Sequence, residues 1–350
     1  MYTQILVTKC QNGGKSHESS VKITEKSQVF CRFRQKHLTL FFFVYIQIVR
    51  TIHSIAELLD CLKQIEREGL EGHRENVCYY YRGEAEDYGP TGATPCIARN
   101  DRLKKETKIF REAERRLPDE FAACRSTFEK LVLMQHYQVP TRLLDITTSA
   151  LQAVFFACYN DPDYGMSNEK EGCRDGVIYV YEVPEDKIKN YHSDAVSILA
   201  NIAVYQHEDN LDIRNLDADE EHDRKKFNES GPIKYLLHEI KAEKPHFEGW
   251  IKKQDMESIF CVHPLLNNPR IRAQQGAFMI YGIDGDRTKL AQWKDNPRNG
   301  MIRRKIRIPA EAKEPLLKEL RMLSVTIDVV YPDWKGTKQR LDSKEFLKEM

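Results

Sequence analysis

The chain of 350 residues has no Cys-x-x-Cys pair, although it contains nine cysteines. These cysteines are scattered and show no spacing with histidine that is typical of zinc ligands, so the sequence predicts no metal site. An odd, dispersed set of cysteines is typical of free thiols in a reducing compartment rather than of a disulfide framework. We therefore expect a cytoplasmic protein.

An excess of charge and a long apolar segment are also missing. Lysine and arginine number 54 and aspartate and glutamate 53, a net charge of +1, which gives no global electrostatic reason to expect nucleic acid or an anionic membrane. The apolar segment at 38–49 is shorter than the roughly 20 residues that cross a bilayer, and we expect a β segment there. No signal-peptide pattern begins the chain, so we expect no membrane partner.

The residues present are ordinary for a globular protein, with 41% hydrophobic and 31% charged. Residues 1–48 are predicted to be a variable N-terminal extension, and residues 49–345 the main domain. Hydrophobic spacing and capping residues predict helices that alternate with short aromatic or β-branched strands. We predict helices at 54–68, 119–137, 149–159 and 310–323, and strands at 76–83, 176–183 and 301–308. The predicted fold class is α+β, with a mixed or antiparallel twisted sheet flanked by helices in a single main domain.

Residues 133–147 are the most informative segment, because His136, Arg142 and Asp145 lie in an otherwise apolar run. Buried polar groups persist when they are paired, hydrogen-bonded or bound to a ligand. The apolar helix that follows has Thr147, Thr148 or Ser149 as its N-cap, and such a helix start favours phosphate or carboxylate. The segment is therefore either a structural ion-pair network or a ligand site.

Three motifs together resemble the FRG domain, which is named for an aromatic-Arg-Gly motif. They are Tyr81-Arg82-Gly83, the segment 135–147, and Phe155-Phe156-Ala157. The resemblance continues with residues 274–278 and 331–333 in the same order. It implies an FRG domain over residues 49–345, with a core motif region at 77–160 and a C-terminal part at 176–345. The family is mostly bacterial or phage-borne, so a bacterial protein with a role in phage defence is expected.

A more distant resemblance is to ADP-ribosyltransferases, whose NAD site joins an Arg-Gly strand, a polar strand-to-helix element and a late strand. Arg82 would then hold the NAD phosphates or ribose, and Gly83 would let the backbone approach the nicotinamide. NAD would be a substrate, with no cofactor bound permanently. The resemblance implies as catalytic residues Arg82, His136, Asp145 and Gln275, and as NAD-binding residues Tyr81, Gly83, Thr141, Arg142, Thr147 and Gln274.

The late strand differs from that pattern, because Gln274 and Gln275 stand where such an enzyme carries a glutamate. Cleavage of the nicotinamide–ribose bond passes through an oxocarbenium-like state, which a nearby negative charge stabilises. Asp145 or Glu84 would have to supply that charge. Otherwise the protein binds NAD without turning it over.

Three other functions remain open at this point. A nucleotide- or nucleic-acid-binding module without catalysis would line one groove with basic side chains. A hydrolase of another kind would use His136 as general base, although no Gly-x-Ser-x-Gly motif is present. A structural or interaction domain would use Arg82, Arg142 and Asp145 as a buried ion-pair network. The basic groove would comprise Arg99, Arg102, Lys104, Lys105, Arg142, Arg270, Arg272, Arg303, Arg304 and Lys305.

Overall fold

The structure is a computed structural model. It describes residues 28–35, 38–45, 50–72, 74, 76–159, 174–216, 221–248, 250–296 and 300–341. The chain divides into two units, Met1–Val49 and Arg50–Met350. In the first unit, strands β1 (Gln28–Gln35) and β2 (Leu38–Tyr45) pair antiparallel. The rest of the predicted extension, including residues 1–27, lies outside the described residues.

The second unit is built around a mixed sheet of eight strands within the described residues. The strands of this unit are β3 (Arg50–Thr51), β4 (Val77–Glu84), β5 (Leu143–Thr147), β6 (Gly176–Pro184), β7 (Ile188–Asn190), β8 (Ile259–His263), β9 (Gly276–Tyr281), β10 (Ile283–Asp284), β11 (Asp286–Leu290) and β12 (Ile302–Ile308). The order in the sheet is β3-β12-β6-β4-β5-β9-β8-β7, and β10 and β11 form a separate pair. The β3–β12 and β7–β8 pairs are parallel and the others are antiparallel. The predicted α+β class with a mixed sheet is confirmed.

Helices flank this sheet, and serine residues cap several of them. They are α1 (Ile55–Glu71), α2 (Glu106–Arg116), α3 (Pro118–Phe121), α4 (Thr127–His136), α5 (Ala150–Cys158), α6 (Asp194–Asn201), α7 (Glu221–Glu229), α8 (Gly231–Glu243), α9 (Lys253–Met256), α10 (Pro269–Ala273), α11 (Lys313–Met322), α12 (Ile327–Val330) and α13 (Trp334–Leu341). Ser54 caps α1 and Ser149 caps α5. The prediction of one helix over 119–137 is wrong, because Ser126 has an extended backbone and its hydroxyl accepts from the Glu129 amide, which starts a new helix. No helix within the described ranges is long and apolar enough to cross a membrane.

Two groups of helices cover the same face of the sheet. Helices α1, α5 and α11 form one core with β6 and β12, to which Ile178 and Leu316 belong. Helices α2, α4, α6 and α8 form another core with β5, β8 and β9, to which Leu143 and Phe278 belong. The opposite face carries a third core that includes Tyr181 and Met279. The two helical groups therefore meet above the centre of the sheet, where β4 and β5 are neighbours.

Strands β4 and β5 are joined by a single residue pair, Tyr81 with Thr147. All of β4 pairs instead with β6, and all of β5 pairs with β9. An antiparallel ladder continued from the single pair would bring Gly83 opposite Asp145, but no such pairing forms. The sheet therefore has a gap between the end of β4 and the start of β5.

Gly83 lies at this gap and packs directly against α5. A Cβ atom at this position would lie 1.9 Å from the Ala153 carbonyl oxygen and 2.7 Å from the Ala157 nitrogen, so a larger residue forces the helix away from the strand. We expect Gly83→Ala to lower the free energy of unfolding by about 3 kcal/mol, the upper part of the range for overpacked sites. Equilibrium unfolding in urea measures the change.

The matched control is Gly231→Ala at the first residue of α8, where an added Cβ meets nothing within 4 Å. That variant should be neutral or slightly more stable, because alanine loses less backbone entropy in a helix. Equal stability of the two variants would show that the close approach of β4 and α5 does not constrain position 83.

Candidate functional site

A cavity of about 450 Å³ lies at the gap between β4 and β5. Strand, helix and loop residues from distant parts of the chain line it. The polar lining includes Arg82, Glu84, Arg99, Gln135, His136, Asp145, Thr147, Arg270 and Gln274, and the aromatic lining Tyr81, Tyr88, Phe156, Tyr159, Phe278 and Tyr331. Of the four predicted catalytic residues, Arg82, His136 and Asp145 therefore converge on one cavity.

Arg82 spans the gap in the sheet. Its Nη1 donates to the Asp145 carbonyl oxygen at 2.9 Å, and its Nε donates to Glu84 Oε1 at 2.9 Å. Burial lowers the pKa of the guanidinium, but Glu84 and Asp145 outweigh burial and hold that pKa above its ordinary value. Nη2 has no hydrogen-bond partner among the residues the structure describes. The guanidinium is thus a permanently charged, fixed group that can receive an anion.

Glu84 connects Arg82 to the loop that follows β4. The carboxylate is buried, and its Oε1 also accepts from the Ala93 amide at 3.0 Å. Ala93 has φ of 50°, a left-handed conformation that is uncommon for alanine. The other carboxylate oxygen, Oε2, is buried and makes no hydrogen bond within the described part of the chain. Glu84 therefore fixes both the arginine and one wall of the cavity.

Gln135 fixes the carboxylate of Asp145. Its Nε2 donates to Asp145 Oδ2 at 2.7 Å, while its Oε1 accepts from the Thr141 hydroxyl at 2.7 Å. An ionised carboxylate can only accept, so it fixes the amide with Nε2 toward Asp145, and the buried Thr141 hydroxyl then donates to the oxygen at the other end. Over the described residues, Asp145 forms no ion pair within 4 Å. The cavity thus contains an oriented carboxylate that none of the described lysine, arginine or histidine side chains neutralises by direct contact.

His136 ends α4 and contributes an imidazole to the cavity. Burial lowers the pKa of this imidazole, the positive charge of Arg270 lowers it further, and Asp333 opposes both. Arg270 itself is paired with Asp333 at 3.2 Å and lies over the Tyr331 ring at 4.7 Å from its centre. The lowered pKa favours the uncharged imidazole.

The two glutamines of the late segment differ in position. Gln274 lines the cavity, and its Nε2 donates to the Val330 carbonyl oxygen at 3.1 Å. The Thr147 hydroxyl donates to the Gln274 carbonyl oxygen at 2.7 Å, which joins β5 to this segment. Gln275 has φ of 46° and its side chain lies near the Thr148 hydroxyl, outside the lining of the cavity. Gln274, and not Gln275, therefore lines the cavity together with the predicted catalytic residues Arg82, His136 and Asp145.

Of the remaining predicted NAD-binding residues, some line the cavity and others lie outside its lining. Tyr81, Gly83 and Thr147 line the cavity, and Thr141 acts on it through Gln135. Arg142 is fully buried outside the lining. Its guanidinium makes a two-pronged ion pair with Glu106, with Nε to Oε1 at 2.9 Å, and donates to the Tyr281 carbonyl oxygen at 2.9 Å. The single network expected for a structural role is not formed, since neither Arg82 nor Arg142 pairs with the Asp145 carboxylate in the described part of the chain.

The basic residues named for a nucleic-acid groove are distributed among several environments. Arg99 and Arg270 line the cavity, whereas Lys104 and Arg303 line a second cavity of about 380 Å³. Others are held in ion pairs, namely Arg142 with Glu106, Arg304 with Glu68 and Glu182, and Lys305 with Asp87. No group of three histidine, cysteine or acidic side chains arranged to hold a metal occurs in the described ranges.

Gln135 is a site residue that the sequence analysis did not name. The signal was available, because Gln135 precedes His136 and lies within the polar segment already singled out. Its role depends on the side chain reaching from the end of α4 to the middle of β5, which one sequence does not reveal. Arg99 was named only as part of a basic groove, but it is exposed at the cavity and lies over the Tyr88 ring at 5.5 Å from its centre.

These features define an α+β protein with an arginine-bridged, aromatic-lined cavity at a break in its sheet. Comparison with protein-family profiles matches residues 78–165 to the FRG domain. The chain therefore contains an FRG domain, and the match runs from β4 through α5, the segment that supplies Arg82, His136 and Asp145. Neither the comparison with curated proteins nor that with solved structures found a match. None of the comparisons supports the distant resemblance to ADP-ribosyltransferases.

Proposed function

We propose that the cavity binds NAD and that the protein cleaves the bond between nicotinamide and ribose, as an NAD glycohydrolase or an ADP-ribosyltransferase. The observation that carries this proposal is the convergence of Arg82, Asp145 and His136 on one aromatic-lined cavity. Its volume of about 450 Å³ lies in the range of about 300–1,000 Å³ that is usual for small-molecule sites.

The lining suits the parts of a dinucleotide. Arg82 is fixed by Glu84 and the Asp145 carbonyl, so its free nitrogen can bind a phosphate oxygen with little loss of side-chain entropy. Arg99 adds a second positive charge at the exposed part of the cavity. Aromatic side chains supply flat surfaces for the adenine and pyridinium rings.

Asp145 supplies what the bond cleavage requires. As the C1′–nitrogen bond breaks, its electron pair stays on the pyridine nitrogen and nicotinamide leaves as a neutral molecule. The ribose then carries the positive charge, which a fixed carboxylate stabilises more than it stabilises the bound substrate. Water or a nucleophile of a target molecule completes the reaction at C1′. Asp145, oriented by Gln135, thus takes the role for which the late segment has no glutamate.

Consumption of NAD would deplete a cofactor on which the whole cell depends. This activity fits the further proposal of a toxin or antiphage effector. Expression of the protein in a bacterial host should then lower the cellular NAD level, and Asp145→Asn should abolish that effect.

The direct test combines calorimetric titration of NAD with an assay of nicotinamide release. We expect Arg82→Lys to weaken NAD binding about tenfold or more, because lysine keeps the charge but loses the planar group that contacts Glu84 and the phosphate together. The matched control is Arg115→Lys on the exposed surface of α2, which should change neither binding nor release.

NAD binding without nicotinamide release by the unmodified protein would support a nucleotide-binding module and overturn the proposed enzymatic activity. Absence of both would overturn the NAD proposal. Because Arg82→Lys alters the ion pair with the buried Glu84, thermal unfolding of each sample should confirm that the folded state is being measured.

A further inference from the structure

His136 has no role in the cleavage step proposed above, although its imidazole lines the cavity. The two ring nitrogens have different surroundings. Nδ1 is buried and has no hydrogen-bond partner among the described residues. Nε2 has no partner there either, but it is not among the buried unpaired atoms, and so it is the nitrogen that a ligand in the cavity can reach.

The burial of Nδ1 selects one tautomer of the ring. A neutral imidazole carries one N–H and one lone pair, whereas the charged form carries two N–H groups. The charged form would bury an unpaired, charged N–H near Arg270, which is the costliest arrangement. Between the neutral tautomers, an unpaired buried N–H is the rarer and less tolerated state. The proton therefore resides on Nε2.

Resting on the proposed NAD function, we propose that His136 is a specificity-determining residue whose neutral Nε2–H donates a hydrogen bond to the carboxamide oxygen of the nicotinamide group. A neutral donor suits an uncharged carbonyl oxygen, whereas the phosphates have charged partners in Arg82 and Arg99. Tyr331, with Phe156 packed edge-on against it at 6.3 Å between ring centres, provides an aromatic surface for the pyridinium ring in the same cavity.

This assignment excludes His136 as a general base. A base must accept a proton on a lone pair that faces the substrate, but the lone pair of this tautomer is on the buried Nδ1. The groups that influence the ring are Arg270, Asp333 and the edge-on Tyr137. Arg270 and Asp333 are paired with each other, so the ring lies beside a nearly neutral pair.

The test compares three ligands by calorimetry, namely NAD, its 3-acetylpyridine analogue and its thionicotinamide analogue. The acetylpyridine analogue keeps the carbonyl oxygen, and the thionicotinamide analogue replaces it with sulfur, a weak acceptor. The unmodified protein should bind NAD and the acetylpyridine analogue alike and the thio analogue about tenfold more weakly. His136→Ala should lose this discrimination, and His136→Gln, which keeps an N–H donor, should restore much of it.

The control variant is His246→Ala, because His246 is exposed and lies outside the cavity. If His136→Ala discriminates the analogues as the unmodified protein does, the hydrogen bond is not made and the inference is overturned while NAD binding stands. If the unmodified protein binds none of the three ligands, the proposed function fails and the inference fails with it. A loss of turnover on acidification below pH 6.5 that disappears in His136→Gln would identify a base and also overturn the inference.

Discussion

Asp145→Asn should lower the rate of nicotinamide release by about 10²-fold or more, the size of effect seen when one preorganised electrostatic group is removed from an active site. Asparagine has the same shape as aspartate, and its side-chain oxygen can still accept from Gln135 Nε2. The backbone carbonyl that receives Arg82 is unchanged. The variant therefore removes the negative charge and little else, so NAD affinity and stability should stay close to those of the unmodified protein.

Single-turnover measurement of nicotinamide release separates this effect from binding. The informative comparison is Glu84→Gln, because Glu84 is the other carboxylate in the cavity. That variant weakens the ion pair with Arg82 and should mainly reduce stability and NAD affinity. Asp284→Asn, at the exposed residue of β10, controls for loss of a surface charge. Normal turnover by Asp145→Asn together with loss of turnover in Glu84→Gln would assign the catalytic carboxylate to Glu84.

Much of the local structure could be predicted from the sequence because it depends on short-range chemistry. The helix start at Ser54, a cap within residues 147–149, the apolar helix after it and the aromatic strand before Gly83 follow from residue types and spacing. Convergence of the 81–83 and 133–147 segments was implied by the distant resemblance to an NAD site that joins an Arg-Gly strand to a polar strand-to-helix element.

The distribution of roles among those polar groups could not be predicted. Whether Arg142 faces the cavity or the core depends on Glu106, which lies 36 residues earlier in the chain. The choice between Gln274 and Gln275 depends on the positive φ of Gln275, a backbone conformation that the pair of identical residues does not indicate. The gap in the sheet depends on strand order, which places β4 beside β5 with one pair of residues. These are long-range properties of the fold, and the functional site is built from them.

The largest loss of stability from a polar substitution is expected at Arg142. Its side chain is fully buried, its partner Glu106 is nearly so, and the guanidinium also satisfies the Tyr281 carbonyl oxygen. Arg142→Met leaves the Glu106 carboxylate buried without its partner, and breaking such a pair costs about 3–5 kcal/mol. Urea unfolding should show this loss, while NAD affinity measured on the folded variant should not change, because Arg142 lies outside the cavity.

The double variant Glu106→Met with Arg142→Met distinguishes the contribution of the ion pair to stability from that of the other contacts of Arg142. Replacement of both partners of a buried ion pair by apolar side chains of similar size is often neutral, since the desolvation of both charges is relieved. We therefore expect the double variant to be more stable than Arg142→Met alone, with the Tyr281 carbonyl accounting for a residual loss of about 1–3 kcal/mol. A double variant no more stable than the single one would show that the two side chains do not stabilise the fold as a pair. A stable Arg142→Met protein with weakened NAD binding would show that Arg142 contributes to NAD binding, as the sequence predicted.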